Sequence, residues 1–138
     1  GSNDDELLIT FSNYGVSSVW YTLDGGINWM EKESNLPDIP IRYGILHPDN
    51  NNYSLIATEI GIWETNNLIQ DNTIWYPSNN GLANVRVDML SIRDTDNMVV
   101  AATHGRGLFY GIFNAESIIS GRKTMPGPPP YGLSSTLR

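Results

Sequence analysis

Trp29 and Trp75 stand 46 residues apart, Leu36 and Leu82 repeat that interval, and the dipeptides Ala57-Thr58 and Ala102-Thr103 are 45 residues apart. A recurrence of this kind constrains the fold more than any average over the chain. Each unit of a repeat is one supersecondary element that cannot bury its apolar face alone, so consecutive units must stack and share their cores. The unit here is built from strands. No window carries a sustained apolar i, i+3, i+4, i+7 pattern of helical length, whereas short β-branched and aromatic runs alternate with Gly, Asn, Asp and Pro clusters along the chain.

The runs fall into three cycles. Residues 6–36 hold predicted strands at 7–11, 18–22 and 27–33; residues 37–82 hold 41–46, 53–58, 61–65 and 73–76; residues 83–114 hold 85–92, 98–103 and 107–113. Four strands in roughly 40–50 residues is the pattern of propeller blades. The predicted fold is therefore all-β, with antiparallel four-stranded blades making about two and a half blades of a β-propeller. Residues 1–5, opening Gly1-Ser2, read as a tag or leader. Residues 115–138 read as a Pro/Gly-rich tail or linker, because Pro128-Pro129-Pro130 favours polyproline II and cannot join a ladder. With Tyr131 that run also has the form of a PPxY ligand for WW domains, although a linker is the expected role.

The formal charge is −7, and only eight residues are Lys or Arg. Binding to phosphate backbones rests on clustered cations, so nucleic acid is not an expected partner. No apolar run is long enough for a membrane-spanning helix, and no membrane partner is expected. The absence of cysteine removes disulfides, thiol nucleophiles and thiolate metal sites together.

Between the second and third predicted strands lies Thr22-Leu23-Asp24-Gly25-Gly26-Ile27-Asn28-Trp29. Gly25 and Gly26 can take the positive φ angles of a tight loop, Asp24 can accept hydrogen bonds from its own backbone, and Trp29 can bury an indole against a neighbouring sheet. Thr22, Asp24, Gly26 and Trp29 match the S/T-x-D-x-G-x-T-W pattern, with Asn28 standing where Thr is usual. In this the chain resembles the Asp-box, or bacterial neuraminidase repeat, of β-propellers such as sialidases, sortilin-like domains and xyloglucanases. The stretch from Thr65 to Trp75 reads as a decayed copy of the same corner, without the glycines and with inserted residues. His47-Pro48, the run from Thr58 to Trp63 and the run from Ala102 to Phe109 extend the resemblance to the closing blades of such a propeller. It implies a secreted or cell-surface bacterial protein, in which Asp-boxes are peripheral fold elements.

Thr22, Asp24, Gly25, Gly26 and Trp29 are accordingly expected to be structural. One carboxylate at Asp24 falls far short of the six to eight oxygens that Ca²⁺ prefers, and Asp49 among its amides has the same shortage, so neither a metal nor a cofactor is expected. His104-Gly105-Arg106-Gly107 is the most site-like string, an imidazole and a guanidinium on a glycine frame. His104 and Arg106 are candidate binding residues for an anionic group. The competing expectation is a blade-end turn in which Arg106 pairs with a neighbouring blade's acid.

Glycoside hydrolysis needs two facing carboxylates. Asp38, Asp49, Glu59 and Asp88 are available, but sequence pairs none of them. Trp20, Trp29, Trp63 and Trp75 could stack on sugars, though repeat-equivalent tryptophans are expected in the blade core. The expected role is a non-catalytic scaffold or recognition module for a glycan or protein. The alternative is a fragment of a secreted glycoside hydrolase, xyloglucanase- or sialidase-like, with its acids largely elsewhere. So short a stack exposes both outer faces, and strands such as 98–102 are expected to seek missing blades or a second copy.

Overall fold

The computed structural model describes residues 3–82 and 84–115; Gly1, Ser2, Ala83 and the tail beyond Ala115 lie outside the described residues. Ten strands run in chain order, with no helix among the described residues: β1 Leu7–Thr10, β2 Val19–Thr22, β3 Met30–Glu31, β4 Ile41–Leu46, β5 Ser54–Thr58, β6 Gly61–Thr65, β7 Tyr76–Pro77, β8 Val87–Arg93, β9 Met98–Thr103 and β10 Gly107–Ile112. They form three antiparallel meanders, β1-β2-β3, β4-β5-β6-β7 and β8-β9-β10, none of them closed.

The predicted strands are present, but the last strand of each of the first two sheets is shorter than the sequence suggests. The expected strand at 27–33 contracts to Met30–Glu31, and that at 73–76 moves to Tyr76–Pro77. In both places backbone donors that a ladder would use are spent on the preceding loop. Asn28 N–H goes to Asp24 and Ile74 N–H goes to Asn67. Ile27, β-branched and expected in the returning strand, is 82% exposed at the loop tip. Pro77 is tolerated because β7 is an edge strand and has no outer neighbour to donate to.

Register makes the repeat visible in three dimensions. Ile9 faces Trp20, Ile56 faces Trp63, and Ala101 faces Phe109. One residue along, on the other side of each sheet, Leu8 faces Tyr21, Leu55 faces Glu64, and Val100 faces Tyr110. Alternation along a strand sends these two sets of pairs to opposite faces. Each sheet thus has an aromatic face (Trp20, Trp63, Phe109) and an aliphatic face (Leu8, Leu55, Val100).

Two cores fill the spaces between sheets. The first joins Val19 and Tyr21 from the aliphatic face of sheet one to Ile56 and Trp75 from the aromatic face of sheet two, with Leu8 and Trp63 packed against them. The second joins Leu55, Ala57 and Ile62 from the aliphatic face of sheet two to Val99 and Ala101 of sheet three, with Phe109 against them. All five residues of β5 are buried, because the middle sheet is covered on both sides. His47 fastens the second core at its edge. Its Nδ1 accepts from Asp49 N–H at 3.1 Å, so Nε2 carries the proton and donates to Phe113 O at 3.0 Å.

The two outer faces are unequal. On β9, expected to be an exposed strand, Val99 and Ala101 are buried while Met98, Val100 and Ala102 are half-buried. The more open face is the aromatic face of sheet one, where Leu7, Ile9 and Phe11 are exposed.

Candidate functional site

The two ends of the stack differ in character. At one end sits the corner after β2. There the Thr22 hydroxyl donates to Asp24 Oδ1 at 2.7 Å, Asn28 N–H to the same oxygen at 2.9 Å, and Asn28 Nδ2 to Oδ2 at 2.7 Å. Gly26 N–H reaches back to Thr22 Oγ1 at 3.2 Å, and Gly25 and Gly26 have φ of +67° and +92°. The corner after β6 repeats the arrangement. Thr65 Oγ1 donates to Asn67 Oδ1 at 2.9 Å, Asn67 N–H returns to Thr65 Oγ1 at 3.3 Å, and Ile74 N–H donates to Asn67 Oδ1 at 2.9 Å. An amide oxygen there takes the place of the carboxylate, and the loop is longer.

These donors, Asn28 N–H first among them, hold the Asp24 carboxyl down at about 2, below the ordinary 3.8. A folded-state value below the unfolded one means that the contribution is fully present above about pH 4 and disappears as pH falls towards about 2. Urea unfolding is expected to separate wild type from Asp24→Asn at about pH 6, with wild type the more stable, and to bring the two together at about pH 2.

The other end is a charged rim. β4 and β8 each carry a bulge near their start, at Arg42 and at Asp88, opposite the equivalent positions Thr58/Ala57 and Thr103/Ala102. A bulge leaves its extra residue out of the ladder and re-aims the side chain. Arg42 Nε then donates to Glu59 Oε1 at 2.8 Å in sheet two, while in sheet three Asp88 Oδ2 lies 3.6 Å from His104 Nδ1. These are the same two repeat positions with the charges exchanged. Arg86 Nε donates to Asp88 Oδ1 at 2.7 Å, and this bond, helped by the surrounding cations, holds the Asp88 carboxyl below its ordinary range. Exposed pairs of this kind stabilise the fold little; their effect is to fix two guanidiniums, two carboxylates and an imidazole on one surface.

The site residues expected from sequence are divided by this geometry. His104 belongs to the rim, and its backbone N–H donates to Arg86 O at 2.8 Å. Arg106 is exposed at the turn and makes no ion pair among the described residues; Arg86, not Arg106, holds the rim's acid. Of the four candidate carboxylates, Glu59 and Asp88 share the rim, Asp38 accepts from Gly15 N–H at 2.7 Å, and Asp49 faces Asn97 Nδ2 at 3.5 Å. Among the described residues no three His, Asp or Glu side chains gather as a metal site. The bulges that assemble the rim are a property of register, which single residues do not reveal.

Glu64 is a further residue that strand parity could have singled out, since it lies two places from Ile62 on a face that packs inwards. Burial raises its carboxyl above the ordinary 4.5, against the Ser78 hydroxyl bond at 2.9 Å that favours the charged form. With the folded value above the unfolded one, stability falls as pH rises through that window. Glu64→Gln is therefore expected to be more stable than wild type near neutral pH and to lose that advantage below about pH 4, read by denaturant midpoint.

The tryptophans separate as well. Trp75 is in the core and Trp63 packs against it, whereas Trp20 and Trp29 line an open groove of about 860 Å³ with Ile9, Phe11 and Val16. Its lining holds no carboxylate.

No family model, curated protein or solved structure matches the chain. Fold and rim together define it as an all-β stack of repeat-equivalent antiparallel sheets with polar corners at one end and a charged rim at the other.

Proposed function

We propose that the three sheets are consecutive blades of a partial Asp-box-type β-propeller, and that the chain serves as a non-catalytic scaffold or recognition module. The observation carrying this reading is one cross-strand register repeated in three stacked sheets, with the Thr22–Asp24 corner copied at Thr65–Asn67. The rim supplies the recognition surface. Arg42 and Arg86 offer planar donors, Glu59 and Asp88 offer acceptors, and His104 offers either, a set suited to the hydroxyls and carboxylates of a glycan. The apolar groove, lined without a carboxylate, suits association better than bond cleavage.

A glycan array combined with hydrolysis assays on xyloglucan and sialosides tests this reading. The expected result is binding without cleavage, weakened about tenfold or more by Arg86→Ala or His104→Ala. Binding only to protein ligands would keep the recognition role and move the ligand class. Cleavage of any of these substrates would overturn the reading.

A further inference from the structure

The groove on sheet one is a repeat position that is open here and covered elsewhere in the same chain. Ile9, Trp20 and Trp29 occupy the register positions of Ile56, Trp63 and Trp75. In sheet two those three lie under the aliphatic face of the preceding sheet. In sheet one the same face stands open, with Ile9 39% exposed.

The complementary surface is on sheet three. Val100 and Tyr110 take the positions of Leu8 and Tyr21, and the pair Ala102–Leu108 takes the position of Thr10–Val19. Val19 and Tyr21 are the residues by which sheet one covers sheet two, whereas Val100, Leu108 and Tyr110 are only half-buried. Among the described residues, the stack therefore presents an uncovered socket on one side and, on the other, the surface that fills that socket internally.

We propose that a second copy of this chain covers the groove head to tail, the aliphatic face of its sheet three packing on the aromatic face of sheet one. The contact would continue the interface that sheets one and two already make, with Leu108 and Tyr110 of one copy over Ile9, Trp20 and Trp29 of the other. A heterologous contact of this kind closes into a ring or runs on as a filament. Propellers close with about four to eight blades, so three sheets from each of two copies give a closed dimer of about six, and one or three copies fall outside that range. The proposal rests on the partial-propeller reading and names its partner.

Sedimentation of the chain and of two single-face variants decides it. Wild type is expected to sediment at twice its 15.4 kDa chain mass. Ile9→Glu blocks the socket and Leu108→Glu blocks the opposing surface, so each variant alone is expected to sediment as a monomer. Mixed, they keep one intact interface between an unmodified sheet-one face and an unmodified sheet-three face, and a heterodimer returns. A misfolded variant could not be rescued by mixing, so the mixture separates lost folding from lost contact.

A wild type that stays monomeric at the highest concentration reached would overturn the proposal. So would an open polymer, a Leu108→Glu variant that remains dimeric through a groove-to-groove contact, or a mixture without heterodimer. Glycan binding by the monomeric variants would leave the recognition reading standing where the dimer fails.

Discussion

Trp75→Ala is expected to lower the free energy of unfolding by roughly 3–5 kcal/mol, the range for deleting a fully buried large aromatic. The indole is 1% exposed, lies in the core between sheets one and two, and donates from Nε1 to Lys32 O at 2.7 Å. Alanine removes that apolar area, leaves a cavity and strands the Lys32 carbonyl. The backbone bonds to Asn35, Trp75 N–H to Oδ1 and Nδ2 to Trp75 O, both at 2.8 Å, persist and hold the loop in place, which limits how far the cavity can collapse. In the monomeric Leu108→Glu background, Trp29→Ala at the equivalent repeat position is expected to cost distinctly less, because its face is uncovered there. Urea denaturation of the two variants measures the difference, and a loss on this scale is a large fraction of a domain's usual stability of about 5–15 kcal/mol.

Gly61→Ala is the second large effect. Gly61 opens β6 with φ at +109°, and a Cβ there would sit 2.1 Å from Asn79 Oδ1. That oxygen accepts from Ile62 N–H at 2.8 Å, so an added methyl strains the backbone and also displaces the partner of a buried amide. Backbone strain of this type costs roughly 1–3 kcal/mol, and an orphaned buried donor adds about 1–3 more. Gly105, in the corresponding turn of sheet three, separates the two effects. Its φ is +83°, but a Cβ at this position would meet nothing within 4 Å, so Gly105→Ala is expected to show the strain alone. Combining Gly61→Ala with Asn79→Ala should recover part of the loss, a coupling readable from a double-mutant cycle.

Most of the architecture was legible in the sequence because a repeat announces itself through residues that must recur. Ile41–Leu46, Gly61–Thr65 and Met98–Thr103 lie where their apolar, β-branched composition puts them. The last strands of sheets one and two differ in length from their sequence pattern, since Ile27 and Thr73 have the right propensity while Asp24 and Asn67 capture the backbone donors that a ladder would need. The rim was legible only in part. His104 stood out as a titratable residue on a glycine frame, but its link to Asp88, and the matching of Arg42–Glu59 with Asp88–His104, depend on two bulges set by pairing register. Arg106 looked equivalent to His104 in sequence and lies instead on exposed surface without an ion pair among the described residues.

Hydrogen exchange on the monomeric Ile9→Glu variant tests most directly the claim that the middle sheet is buried between two copies of its own repeat unit. Leu55, Ile56 and Ala57, whose side chains reach both cores, are expected to exchange only through global unfolding, with the free energy given by urea denaturation, while β1 and β10 exchange sooner through local opening. Exchange of the β5 amides at the rate of β1, or release of β5 together with one outer sheet while the other stays protected, would contradict it.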